Sequence, residues 1–318
     1  MVTSEAPGLS ARAGSVAVGL ALAQLLPEPP NRYHPVAWFG DALQRVEARR
    51  YRDDRRRGIE YVVSGVALAI VGGLLTRRLV GPRAAAALAT TVTVGGRMLT
   101  LEATAVGTAL SAGDLGAARD RLPSLVGRDP SDLGADDIAR AVVESVAENT
   151  VDALVAPVLW GAVAGGPGAL FYRAANTMDA MVGHHSPRYE RYGWAAARLD
   201  DLVNWPAARL CAAIVALLRP RRAKAVWRAV RADAPEHPSP NAGVVEAAFA
   251  AALDLRLGGV NRYGDRVEER ARLGTGRPPV ATDIGAAVAL SRQIARVLLA
   301  ALITVAIAPY VVRLVRGR

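Results

Sequence analysis

Uncharged apolar segments dominate this chain and restrict what it can become. Tyr61 to Thr76 carries no charge, and neither does Val297 to Val312. Ala84 to Gly96 is apolar before Arg97 and Glu102 interrupt it, and Ala13 to Leu26 follows the lone Arg12. A helix that crosses a bilayer needs about 20 predominantly apolar residues, so each segment alone would also suit a buried helix of a large soluble all-α protein. Four such segments in 318 residues, with 52% hydrophobic composition and a mean hydropathy of +0.19, favour an all-α, polytopic integral membrane bundle. The expected location is the cell membrane, with several passes and the lipid bilayer as a partner.

The charge pattern removes several function classes. The net charge is +10, and Lys224 is the only lysine. A P-loop, Gly-x-x-x-x-Gly-Lys-[Ser/Thr], is therefore absent. A Schiff-base enzyme would depend on Lys224, which lies in the basic run "RPRRAKAVWRAVR". The arginines flank apolar segments, as in "RRYRDDRRR" at 49–57 and again at 219–231. That arrangement fits headgroup contact and positive-inside bias rather than nucleic-acid binding, so no nucleic-acid partner is expected. Cys211 is the only cysteine, which excludes an internal disulfide and a Cys-rich zinc site. "PEPPNRYHP" after Leu26 offers no small-residue cleavage site, so 13–26 is expected to be an uncleaved helix.

Helices are expected at 12–26, 59–79 and 84–110, with "PEPPNRYHPVAWFG" as a polar connection after the first. A short helical element lies within 111–134. The next helix starts near Asp137 with Asp132 or Asp136 as its cap, and "AGGPG" at 164–168 ends it. Further helices run through "ALFYRAANTMDAMVG", "AARLDDLVNWPAARLCAAIVALL", 244–257 and 281–315. "GGVNRYGDRVEERARLGTGRPP" reads as mostly loop, and no segment shows sustained strand alternation. With no repeat, the chain is expected to be a single domain, 1–318. Basic clusters at 49–57, 77–83, 219–231 and 313–318 do not fall on one side of a simple series of passes. Some apolar segments are then re-entrant, interfacial or buried in the bundle.

The polar residues gather in a few places. In "VESVAENTVDALVAPVLWG" (143–161), Glu144, Glu148 and Asp152 recur every four residues, with Arg140 one turn earlier and Asn149 adjacent. On a regular α-helix that spacing puts all three carboxylates on one face. Like charges at that spacing repel, and acids set among Val, Ala, Leu and Trp need a partner or a function. Asn176 and Asp179 sit at i, i+3, and Asp201 and Asn204 repeat the spacing with Arg198 one turn before. Oxygen ligands from Asp, Glu and Asn suit a hard cation such as Mg²⁺, which is commonly shared with phosphates. Neighbouring arginines are bidentate phosphate donors. Together these features point to Mg²⁺–nucleotide or phosphate chemistry on a helical scaffold. The four histidines, His34, His184, His185 and His237, all lie in polar connections without the spacing of a zinc site.

Four blocks carry a resemblance. "HPVAWFG" (34–40), "VESVAENTVDALVAPVLWG", "YRAANTMDAMVGHHSPRYERYGWAAARLDDLVNWPAARL" and "DAPEHPSPNAGVVEAAFAAAL…LGGVNRYG" resemble, in order, the signature blocks of the cobalamin-biosynthesis CbiB/CobD family, over about residues 34–279. Ala153 stands where glycine is expected in that family's "ENTxDG" phrase. The resemblance implies an integral membrane enzyme of the adenosylcobinamide-phosphate synthase type. Such a ligase joins aminopropanol, or its O-phosphate, to a propionate carboxylate of (adenosyl)cobyric acid, with ATP as cosubstrate. On this reading Glu144, Glu148 and Asp152, with Asp179 as a further candidate, hold Mg²⁺ and the ATP phosphates. Arg173 and Arg198 stabilise charge as the carboxylate becomes an acyl phosphate, and His184 or His237 takes the amine proton. His34, Asn149, Asn176, Asp201, Asn204 and Asn241 are the remaining substrate- or phosphate-binding candidates. Other enzymes of the pathway are candidate partners. The rival classes are a transporter whose intramembrane acids bind the passing cation and a non-catalytic membrane scaffold.

Overall fold

A computed structural model describes residues 8–127, 130–263 and 266–316. Its helices are α1 (Leu9–Leu25), α2 (Pro35–Arg50), α3 (Arg55–Thr93), α4 (Gly96–Ser111), α5 (Leu115–Arg121), α6 (Ala135–Thr150), α7 (Ala156–Val182), α8 (Trp194–Leu218), α9 (Ala223–Ala232), α10 (Ala242–Leu253) and α11 (Ala281–Arg316). The helical fold expected from hydropathy is present. Four stretches are long and apolar enough to cross a membrane: Arg55–Ser111, Ala135–Val182, Trp194–Leu218 and Ala281–Val315. Their apolar windows differ in burial, at 28% and 11% for the first and last against 56% and 50% for the other two. Leu68, Leu74, Leu75 and Leu79 on α3, and Ile303, Ile307, Val311 and Leu314 on α11, are exposed apolar side chains of the kind that face lipid.

Local chemistry explains where the helices begin and bend. α2 starts inside the block expected to be a connection. His34 accepts the Val36 amide through Nδ1 at 3.2 Å, and Pro35 occupies the first turn, where its missing N–H is no loss. Leu43 and Glu47 then face inward one turn apart. The expected helix over 84–110 is two helices. Residues 82–93 belong to α3, which bends at Gly81 (φ 81°) before Pro82, and α4 starts only at Gly96. The Gly95–Gly96 pair makes that second break inexpensive. "AGGPG" bends α7 at Gly165 (φ 68°) without ending it. Gly134, not Asp132 or Asp136, caps α6, while Asp136 and Asp137 lie in its first turn, where the helix dipole favours them.

One segment read as loop is a two-stranded antiparallel sheet, β1 (Leu257–Tyr263) and β2 (Arg266–Leu273), with Leu257 opposite Leu273 and an irregularity between Leu257 and Gly259. Leu257 and Leu273 are buried at its base. Beyond them "NRY" and "RVEERAR" are mostly polar, so neither strand sequence carries apolar alternation along its length. Residues 264–265, in the same stretch, lie outside the described residues.

Backbone packing divides the chain into two compact units, each discontinuous in sequence: the described parts of Met1–Gly95, Ala156–Val203 and Leu298–Arg318, and those of Gly96–Val155 and Asn204–Val297. Because the units interleave, no linker marks them. In the first unit α3 packs along α7 and α1, with a core of Leu43, Tyr61, Met178, Val182, Tyr192 and Ala196. In the second, α6 packs against α4 and α10. Ile138, Val142, Val146, Phe249 and Leu255 are fully buried there, and the Thr150 and Ser291 hydroxyls bond at 2.8 Å.

Candidate functional site

The acid row begins on α6 in the second unit. Its last turn passes into a π-turn, Val151–Val155, that contains Asp152. A π-turn inserts one residue into the helix, about 100° of rotation, and such turns recur at functional sites. The three carboxylates have different surroundings, with Glu144 buried, Glu148 exposed and Asp152, within the π-turn, half-buried.

Glu144 is engaged in a clamp. Its Oε1 accepts the Gly258 amide at 2.9 Å, and Arg140 Nη1 donates to the Gly258 carbonyl at 2.7 Å. Arg140 and Glu144 lie 3.7 Å apart, with side chains only 12% and 8% exposed. Two side chains one helical turn apart thus grip both polar groups of one residue at the base of the hairpin. Gly258 has φ 80°, and a Cβ there would strike the Ala271 carbonyl. That explains a glycine in "LGGVNRYG". Gly259 also has positive φ, but a Cβ there would meet nothing within 4 Å. Gly258→Ala is therefore expected to lower the unfolding temperature in detergent more than Gly259→Ala, which carries only backbone strain of about 1–3 kcal/mol. Equal effects would contradict the clamp.

His237 is buried near the same hairpin. Its Nδ1 lies 3.0 Å from the Ser239 amide and 3.2 Å from the Ser239 carbonyl. Nε2 lies 3.5 Å from Glu246 Oε1 and 3.4 Å from Arg270 Nη1. Burial lowers the His237 pKa below 6.5, with Arg270 adding to the effect and the Ser239 contact and Glu144 opposing it. The unfolded chain then binds more protons than the folded one as pH falls through about 6.5. Stability present above that pH is lost below it. His237→Gln is expected to flatten this pH dependence in thermal unfolding between about pH 7.5 and about pH 5.5, which bracket the ordinary histidine value; an unchanged slope would contradict it. In the same unit, Asn241 is buried and accepts from Arg209 at 2.9 Å. Asn204 is also buried, and Asn149 donates to the Ser145 carbonyl at 3.0 Å.

The first unit holds the other candidates. Arg173 donates through Nε to the Thr93 carbonyl at 3.0 Å, again to that oxygen through Nη2, and through Nη1 to Asn176 at 3.1 Å. Asn176 donates to Asp200 at 3.5 Å; the sequence spacing had singled out Asp201. Asp201 lies 4.0 Å from Arg198. The Asp179 carboxylate folds over Gly183, where any side chain would displace it. Pro35, Val36, Trp38 and Phe39 of the "HPVAWFG" block line one groove of about 620 Å³ together with Arg173. His34 beside it has a lowered pKa, chiefly from burial, with Glu28 opposing and Arg173 adding. His184 is exposed, its ring edge-on to Tyr189 at 5.1 Å. Tyr189 in turn donates to buried Glu47 at 2.9 Å, and Arg188 donates to the same oxygen at 3.0 Å. Asp53 accepts the amides of Arg191 and Tyr192 at 3.1 and 3.2 Å. These contacts hold the "HHSPRYERYG" loop in place.

Among the described residues, no three or more His, Cys, Asp or Glu side chains converge as a metal cage. Mg²⁺ rarely requires one, since it keeps waters and is commonly held by one or two carboxylates plus substrate phosphates. Glu144 bonds the Gly258 amide, while Glu148 is exposed and Asp152 half-buried. Sequence reasoning passed over Glu246, Arg270, Arg209, Asp200 and Glu47. The signal for Glu246 was available, because a single acid within "AGVVEAAFAAAL" needs a buried partner.

Residues 16–291 match the family described as CobD/Cbib protein. The cobalamin biosynthesis protein CobD of Mycobacterium tuberculosis is 48% identical over 291 residues, covering 89% of this chain and 92% of that protein. The protein of the same name from Rhodobacter capsulatus is 42% identical over 290 residues, covering 87% and 91%. That from Chromobacterium violaceum is 42% identical over 287 residues, covering 86% and 90%. No solved structure matches the chain.

Proposed function

Because the chain belongs to the CobD/Cbib family, we propose that it is a membrane enzyme of cobalamin biosynthesis that forms an amide between a corrinoid and an amino alcohol. The corrinoid is (adenosyl)cobyric acid and the amine is aminopropanol or its O-phosphate. The product is (adenosyl)cobinamide or its phosphate, made in the cell membrane. Family membership over most of the chain is the observation that carries this reading; the distribution of acids and arginines supports it.

Amide formation from a carboxylate needs activation, and ATP is the proposed cosubstrate. A carboxylate oxygen of the propionate displaces ADP from the γ-phosphorus, giving an acyl phosphate. The amine nitrogen then displaces phosphate from the acyl carbon. Glu148 and Asp152 are the proposed Mg²⁺ ligands, and the ion would neutralise charge on the ATP phosphates. Arg173 and Arg198 offer guanidinium groups to anionic substrate oxygens. Asn149 and Asn176 supply neutral donors and acceptors beside the acids and Arg173. His184, exposed and steadied by Tyr189, receives the proton that the amine loses. His237, 3.5 Å from Glu246, is the other candidate acceptor.

The reading is tested in a cobalamin-producing bacterium deleted for its own family member. The chain is expected to restore cobalamin synthesis from supplied cobyric acid, while supplied cobinamide bypasses the deletion without it. Failure to restore synthesis from cobyric acid, with cobinamide still bypassing, would contradict the proposed step.

A further inference from the structure

We propose that α9 is an interfacial helix whose cationic face binds anionic phospholipid headgroups. Val226 and Ala229 are buried, and α9 packs against α10, so one side of this short helix is accounted for. The opposite side is exposed at Lys224, Trp227, Arg228 and Arg231, with Arg221 exposed just before the helix. Positions 224, 227, 228 and 231 are spaced by three, four and seven residues, which places the indole and three cations on one stripe.

Those cations are not used internally. Arg219 donates to Gln293 at 2.8 Å, and Arg222 pairs with Asp254 at 2.8 Å. The side chains of Arg221, Lys224, Arg228 and Arg231 make no hydrogen bond or ion pair among the described residues. No acidic residue occurs between 219 and 232. The surface is therefore a concentrated, uncompensated positive stripe around a tryptophan that is 40% exposed.

Charge complementarity requires an anionic partner, and chain continuity identifies it. α8 is long and apolar enough to cross a membrane and ends at Leu218. Only Arg219 and the short turn Pro220–Arg222 separate it from α9. The cations follow the end of a candidate span within a few residues, which puts them at headgroup level when α8 spans the bilayer. Indole rings partition to that level, and clustered Arg and Lys beside a span attract anionic lipid. A soluble anionic partner would satisfy the charges but gives no reason for an exposed tryptophan among them.

The test uses the full-length protein in nanodiscs of mixed phosphatidylglycerol and phosphatidylcholine, with bromine on the acyl chains of one lipid or the other. The Trp227 signal is the fluorescence difference between wild type and Trp227→Phe. Quenching by brominated phosphatidylglycerol is expected to exceed its mole fraction. The preference should fall to the mole fraction in the Arg221→Gln, Lys224→Gln, Arg228→Gln, Arg231→Gln variant. For the unmodified protein it should also weaken as salt shortens the Debye length from about 10 Å at 0.1 M to about 3 Å at 1 M. A Trp227 signal unquenched by either lipid would overturn the proposal and favour a soluble partner. Equal quenching by both lipids in the wild type would overturn the anionic selectivity.

Discussion

Glu144→Ala is expected to destabilise the protein by about 3–5 kcal/mol, the usual effect of removing one partner of a buried ion pair. The substitution removes one of the two carboxylates beside Arg140, whose side chain is only 12% exposed, and leaves Asp137 at 3.1 Å. It also leaves the Gly258 amide without the acceptor it now has at 2.9 Å. Glu144→Gln keeps an acceptor oxygen and should lie between wild type and Glu144→Ala. In a double-mutant cycle with Arg140→Ala, the loss should be less than the sum of the single losses, because each single variant already removes the Arg140–Glu144 contact. Thermal or denaturant unfolding in detergent checks this. A Glu144→Ala protein as stable as wild type would show that the clamp does not hold the hairpin.

Glu148→Gln should fail in the opposite way. Glu148 is exposed, so its substitution should leave stability within about 0.5 kcal/mol. If Glu148 carries Mg²⁺ and phosphate, turnover should fall by about 100-fold or more, the scale seen when one transition-state charge stabiliser is lost. Asp152→Asn should behave likewise, and excess Mg²⁺ should partly restore both. One turn of helix would then separate an acid needed for folding from an acid needed for chemistry. Full activity in folded Glu148→Gln would remove Glu148 from the mechanism.

The hydropathy pattern made the helical architecture legible because α3 and α11 carry long uncharged runs, 61–76 and 297–312. It did not reveal α2, whose opening His-Pro reads as a breaker until the histidine is seen to cap the helix. The hairpin escaped for a related reason: its buried base consists of Leu257 and Leu273, too few residues to establish a period of two. Spacing located the acids of α6 but could not divide their roles. That division depends on Gly258, which is 114 residues from Glu144. In "LDDLVN", helical periodicity favoured Asp201, while the hydrogen bond from Asn176 goes to Asp200. Adjacent acids differ by about 100° around a helix, and only the neighbouring helix decides which is used.

Reconstitution tests the proposed ligase most directly. Detergent-purified protein is incubated with adenosylcobyric acid, Mg²⁺-ATP and either aminopropanol or its O-phosphate, and the corrinoid is followed by mass spectrometry. The account predicts an ATP-dependent mass gain equal to the amine less one water, with release of ADP and phosphate. An unchanged corrinoid with both amines, from protein shown to be folded, would contradict it.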